Sequence, residues 1–419
     1  MNALIGIIEP EGLALMQDSA GVLARPRNGE SVRAEALRLL EERGGPVGNG
    51  RTTGDGVFDF RYGPFVGGYP EAGLFHLYTY GEKILSVEAD FSYKHRNIEG
   101  SMVGRGIGEC ASASETVAGN FAVAHSLAFC RAVEAALALP VPRRAERLRL
   151  VGLELERIYN HLLVTARLAQ AAAQKVLESH VAALFEEALR INRVFSGSRL
   201  LAPLNRVGGV SFGLPGAEAD RFAEVARRVA ALRLNFESLY STSLSNRNYL
   251  DRLHNIAVVN PALAARCSLT GPSLRAAGVA VDLRLSEDLL TGFAPITKEE
   301  GDALARMETR AEEVSQSCAI VVDQLGELRG EAAGNREDVF VDSPDVADGE
   351  GSGVGAAESP SGTVAWWVMA RKGRVQRAYV SAPSVFGFQV FAEALCGHIF
   401  TDFPFAFDSF GLSFADAAR

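Results

Sequence analysis

Glu154, Arg157 and His161 follow one another at spacings of three and four residues, which puts all three on one face of a helix. Such a trio is either an interhelical or solvated set of ion pairs, or a chain of groups along which a proton can move. His95, Arg96 and Glu99 make a second compact set. An arginine taken out of water there would need the carboxylate three residues on as its partner. Near the C-terminus Cys396, His398 and Asp402 crowd together, but their spacing matches no metal-ligand pattern. The five cysteines (Cys110, Cys130, Cys267, Cys318, Cys396) include no C-x-x-C pair. An odd, scattered set fits buried structural thiols in a reducing compartment.

The elements that must hold these groups are mostly helices. Leu148, Val151, Leu155, Ile158 and Leu162 recur at helical steps, and Pro140 and Pro142 punctuate the start of that helix. Leu304, Met307, Ala311, Val314, Cys318, Val321 and Leu325 form a second stripe, with Met and Cys there as packing residues. Two hairpins are expected. Phe75–Tyr80 and Ile84–Ala89 flank one turn, and Val364–Ala370 and Val375–Val380 flank another. Residues 1–56 read as a small N-terminal region with one helix near Ser31–Arg43. Residues 331–362, with the run Gly349-Glu350-Gly351-Ser352-Gly353, read as a mobile surface loop. The glycines at 104, 106 and 108 form a turn, not a phosphate cradle.

Composition narrows the partners. The chain has 419 residues, 47% hydrophobic and 22% charged, with a formal net charge of -9. That charge argues against nucleic acid as a main partner. The start lacks a basic segment ahead of an apolar one, so no secretory leader is expected. No apolar run is long enough to cross a bilayer, which needs about 18 residues or more.

Several motifs occur in an order that resembles the large subunit of energy-converting, complex I-related [NiFe] hydrogenases and the 49-kDa-type subunit of complex I. His95-Arg96-Asn97-Ile98-Glu99 is similar to H-R-G-x-E. Glu115–Ser126 looks like E-R-V-C-G-x-C-x-x-A-H-S, and the match runs on through AHSLAFCRAVE. Glu154–Leu162 resembles E-L-x-R-I-x-N-H-L, and Arg206–Val210 resembles R-x-G-G-V. Gly271–Arg284 resembles G-P-x-L-R-A-S-G-x-x-x-D-x-R, and Glu358–Gly362 resembles E-A-P-R-G. The resemblance covers roughly residues 60–415. It implies an α+β, mainly α fold: a helical bundle flanked by small antiparallel β-sheets, in one unit over residues 57–419.

The resemblance also shows what is missing. The family's nickel–iron centre hangs on two C-x-x-C pairs, because soft thiolates bind and bridge the two metals. Those positions fall on Ala118 and Phe121, and on Phe410 and Ser413. Two phenyl rings and a methyl group cannot ligate a metal, so this chain is expected to hold none. The rings are expected to fill the vacated space, since an empty apolar cavity costs stability. The quinone pattern of the complex I branch is not matched either. Gly63-Pro64 is followed by no histidine through Pro70, and the position of a quinone-contacting tyrosine falls on Ala113.

By resemblance, Glu115 corresponds to a glutamate associated with proton transfer, and His125 to the histidine after the first cysteine pair. Asp408 keeps the aspartate of the second motif. Each also has a plain structural reading: a helix-start carboxylate or a satisfied ion pair, a core histidine satisfied by backbone, a turn or cap residue. The implied role is a subunit of a membrane-associated electron-transfer and ion-translocating complex, peripheral on the cytoplasmic face of the inner membrane. Its partners would be a small subunit carrying a [4Fe–4S] cluster, docked near His95, Arg96 and Glu99, and antiporter-like membrane subunits. The rival readings are a structural or regulatory paralogue, and a reductase with a different small acceptor in the old pocket.

Overall fold

A computed structural model describes residues 47–65, 71–211, 218–330, 339–341 and 348–419, together with the backbone of three strands at 3–8, 13–18 and 21–26. The segment Ser31–Arg43 lies outside the described residues. The three N-terminal strands, β1 (Ala3–Ile8), β2 (Leu13–Asp18) and β3 (Gly21–Pro26), form an antiparallel sheet. A second sheet has the order β4-β7-β6-β5, from β4 (Val47–Gly48), β5 (Val57–Tyr62), β6 (Leu74–Tyr80) and β7 (Lys83–Asp90). Its β6–β7 hairpin is the first one expected. A two-stranded ribbon joins β8 (Asn205–Arg206) and β9 (Gly209–Val210). The last sheet runs β10 (Glu350–Ser359), β11 (Gly362–Arg371), β12 (Arg374–Ser381), and includes the second expected hairpin.

The helices that carry the site are α1 (Ile107–Ser114), α2 (Ala122–Leu137), α3 (Arg143–Ala171), α4 (Lys175–Ser196), α5 (Glu218–Ser243), α6 (Ala303–Gly330), α7 (Pro383–Ala394), α8 (Phe403–Phe410) and α9 (Phe414–Ala418). The two apolar stripes read from the sequence are the faces of α3 and α6. These helices run antiparallel: His161 meets Glu313, Glu154 meets Ser317, and Arg147 meets Gln324. Helices α4 and α5 complete the bundle around them. One apolar core joins this bundle to α2 and the last sheet; a second lies among β6, β7, α7, α8 and α9 and is dominated by phenylalanines.

The glycine run at 349–353 is not a loop; from Glu350 onward it is strand β10. A Cβ on Gly351 would stand 2.0 Å from Ala136 O, one on Gly353 2.4 Å from Ala132 O, and one on Gly355 2.2 Å from Ala132 N. Alternate residues of a strand share a face, and Ala128, Ala132 and Ala136 recur every four residues on α2. Glycine is required because strand backbone lies directly on helix backbone. The remainder of the expected loop is largely outside the described residues.

Candidate functional site

The long helix α3 is buried along most of its length, yet it carries Arg149, Glu154, Glu156, Arg157 and His161. Buried charge must be paired or hydrogen-bonded, and each of these groups is. Arg149 reaches Glu134 at 2.6 Å. Arg157 pairs with Glu154 at 3.2 Å and donates to the carbonyls of Glu358 and Ser359 at the β10–β11 turn. Arg284 reaches Glu154, Asp282 and Glu313, and Arg275 reaches Asp282, Glu313 and Glu358. Burial opposes ionisation of Glu313, but Arg275, His161 and Arg284 outweigh it and hold its carboxyl well below the usual range. Burial drives His161 down to about 3, so it is neutral. Its Nε2–H then donates to Glu313 at 2.8 Å, and its Nδ1 accepts from Arg310 at 3.2 Å. The trio read from sequence is therefore an interhelical face, wholly enclosed.

Arg310 leads from this cluster to the second motif. It donates to the carbonyls of Pro360, Ser409 and Phe410. Arg306, one turn away, donates to Ser409 Oγ at 2.9 Å and to the carbonyls of Ala257 and Gly301, and lies over the Phe410 ring at 4.1 Å. Burial lowers Arg306 to about 9 and Arg310 to about 10.

The four positions that match the family's cysteines are all buried: Ala118 at 0%, Phe121 and Phe410 at 1%, Ser413 at 3% exposure. Their segments converge on α3. Asn160 Nδ2 donates to Asn120 O at 2.7 Å, and Gly411 packs on Val164. Residues 160 and 164 are one helical turn apart on the same face, about 6 Å along the axis. The two phenyl rings do not stack on each other. The Phe410 ring meets Phe391, with centroids 5.8 Å apart, and no ring pair joins it to Phe121 among the described residues. Ser413 Oγ bonds Glu71 at 3.0 Å and accepts from Asp416 N.

His125 Nε2 meets Asp416 Oδ1 at 2.8 Å, which ties the first motif to the chain segment just after the second. Asp408 is buried and, after burial itself, is the next contributor raising the Tyr62 hydroxyl. A small crevice beside Ser413 is lined by Tyr62, Pro64, Glu71, Gly73, Phe75, Phe407 and Phe414. Glu115 follows α1; burial lifts its carboxyl to about 7, while the Leu204 amide moderates the rise. His95, Arg96 and Glu99 do not form the expected cluster. His95 and Arg96 are exposed. Arg96 donates to the carbonyls of Thr116 and Val117, His95 Nδ1 meets Ala418 O, and Glu99 accepts from Val380 N. With water at hand, the arginine needs no carboxylate. Sequence reading did not single out Glu71, Glu156, Asp416 or Glu313, whose partners lie far along the chain.

Residues 180–347 match the family described as respiratory-chain NADH dehydrogenase, 49 Kd subunit. The alpha subunit of the membrane-bound hydrogenase of Pyrococcus furiosus is 26% identical, covering 75% of each chain. An NADH-quinone oxidoreductase subunit of Protochlamydia amoebophila is 25% identical over 93% of this chain and 99% of its own length. This chain is similar to the large subunits of complex I and of membrane-bound hydrogenases. The fold agrees. A chain of the membrane-bound sulfane sulfur reductase, an archaeal respiratory membrane complex, superposes with a TM-score of 0.79 at 22% identity, covering 88% of this chain and all of that one. The chain thus has the α+β, mainly helical architecture expected from its sequence. No helix among the described residues is long and apolar enough to cross a membrane.

Proposed function

We propose that this chain is the large-subunit-like component of a complex I-related, membrane-associated electron-transfer complex, and that it carries no metal centre of its own. The observation that carries this reading is the Phe410–Ser413 segment. It occupies the family's ligand position, yet the groups that hold it are Arg306, Arg310 and Glu71. Two phenyl rings, a methyl and a hydroxyl already bonded to Glu71 do not fit a nickel–iron centre, which needs thiolates. Redox chemistry then belongs to a neighbouring small subunit with a [4Fe–4S] cluster. The strip suited to that subunit joins His95, Arg96 and Glu99 to the Ala118 segment, since Arg96 holds the Thr116 and Val117 carbonyls while remaining exposed. Antiporter-like membrane subunits would complete the assembly and bring it to the membrane.

The test is isolation of the native complex from membranes through this chain, with metal analysis. Iron in the amounts of iron–sulfur clusters, an iron–sulfur subunit, antiporter-like subunits and no nickel are expected. Stoichiometric nickel on this chain overturns the metal-free reading. Isolation without any iron–sulfur or membrane subunit overturns the assembly. A second reading, reduction of a small acceptor, is favoured by the crevice between Tyr62, Glu71 and Phe414. Replacing Gly73 by Leu would block that crevice and abolish acceptor turnover only under this second reading.

A further inference from the structure

The sheet of order β4-β7-β6-β5 ends in a bare edge. On one side β5 pairs with β6 in an unbroken register from Val57 to Tyr62. On the other side Val57 N turns back to Gly54 O, and the remaining outward N–H and C=O groups have no protein partner among the described residues. A row of unpaired backbone groups is a template for another strand, so proteins shorten, cover, bulge or charge their edges. Two other edges follow that rule. Strand β4 is only two residues long. Strand β12 is covered at Val375 by Gly104 and Arg105, and at Val380 by the Glu99 carboxylate. Strand β5 has six residues and no proline, lysine or bulge. Its alternate residues face opposite sides. Phe58, Phe60 and Tyr62 share an apolar side. The Phe60 ring meets Phe400, with centroids 4.4 Å apart, and Tyr62 meets Phe403 at 4.8 Å, but Phe58 is left 63% exposed. Asp59 and Arg61 share the polar side, where Asp59 lies 3.0 Å from His76 Nδ1 and the Arg61 side chain is exposed.

We propose that β5 binds the β5 of a second copy of this chain, edge to edge and antiparallel, so that the two sheets become one. The register follows from the strand's own residues. The backbone groups that reach outward belong to alternate residues, so facing residues of the two copies are both odd-numbered or both even-numbered. That excludes full overlap, in which Val57 would face Tyr62. Two registers keep five of the six residues paired. One centres on Asp59 and sets that carboxylate against its own copy, and like charges directly opposite are destabilising. The other centres on Phe60. It sets Phe60 against Phe60, Phe58 against Tyr62, and Asp59 against Arg61 twice over. Every facing pair is then apolar with apolar, or acid with base. Such an interface, in which one residue meets a second and the second meets the first, closes on itself as a two-fold dimer. A strand from an unrelated subunit would also satisfy the backbone groups, but this strand is complementary to itself. The pairing is a property of this chain and does not depend on the partners proposed above.

Sedimentation velocity of the full chain across a concentration series reads the association, and hydrogen exchange reads the strand. A dimer is expected, with the amides of β5 protected in step with its fraction. Phe58→Lys changes an exposed ring, so the melting temperature should hold while the dimer weakens by about tenfold or more. Arg61→Asp should weaken it similarly, because two attractive pairs become repulsive. Combining Asp59→Arg with Arg61→Asp restores opposite charges and should recover the dimer. On mild oxidation Phe60→Cys should link the two copies through a disulfide, and Phe58→Cys should not. A monomer at every concentration overturns the proposal. A dimer that neither Phe58→Lys nor Arg61→Asp weakens overturns this edge as the contact. Failure to recover in a double variant that melts like the wild type, or a disulfide through Phe58→Cys rather than Phe60→Cys, overturns the register.

Discussion

His125 Nε2 lies 2.8 Å from Asp416 Oδ1, with both side chains fully buried and the two residues 291 positions apart in the sequence. Asp416 Oδ2 also accepts from Ser384 N at 3.0 Å, so one carboxylate joins α2, α7 and α9. Asp416→Ala would orphan the imidazole N–H and the Ser384 amide. A buried unpaired donor costs about 1–3 kcal/mol. Thermal unfolding should therefore show a clear loss of stability, and a melting temperature equal to the wild type's would show that the dyad does not hold these helices together.

The strand-on-helix seam gives a paired test. Gly353→Ala and Gly355→Ala each place a methyl group into the backbone of α2, with contacts at 2.4 and 2.2 Å. Such overpacking should cost about 1–3 kcal/mol or more. Gly326, in the exposed part of α6, has nothing within 4 Å of a built Cβ. Gly326→Ala should stabilise by about 0.5–1 kcal/mol. Opposite signs in chemical denaturation bear out the seam; equal effects would not.

Stability should fall as pH rises from about 5 to about 8. The sign follows from proton binding. The folded chain keeps a proton on Glu156 up to about 8, whereas the unfolded chain releases it in the ordinary glutamate range. Between those values the native state binds more protons, so raising the pH favours unfolding. A tenfold difference in proton affinity is worth about 1.4 kcal/mol. Glu156→Gln should flatten this slope in urea titrations run across the range. A slope unchanged by that substitution would assign the effect to other groups.

Glu313 is the carboxylate on which Arg275, Arg284 and His161 converge. Glu313→Gln leaves guanidinium groups buried against a neutral amide and should cost about 3–5 kcal/mol. Soluble yield and the urea midpoint report it. A midpoint within error of the wild type would mean that water, not Glu313, compensates the arginines.

Much of the fold was legible in the sequence because it is encoded locally. The apolar stripes of α3 and α6, the two hairpins and the order of motifs each depend on residues near one another in the chain. The matched motifs also fall where side chains converge: Arg275, Asp282 and Arg284 from one motif meet Glu358 from another. What escaped depends on distant partners. The glycines of β10 read as flexible until the alanine face of α2 lies beside them. Glu156 reads as one more helix acid until the Val123 and Ala124 amides point at it. Arg96 invited a buried pair with Glu99, but it sits at the surface, and exposure is a property of the whole fold.

The Phe410–Ser413 segment has one more consequence. Its shape is tied by Arg306, Arg310 and Glu71, groups that leave the ribosome with the chain. A loop closed around an inserted ion has to wait, open, for that ion and for the factors that deliver it. On the metal-free reading proposed above, this loop has nothing to wait for. The chain should reach its final form as soon as synthesis ends, in a host without any maturation machinery for metal insertion.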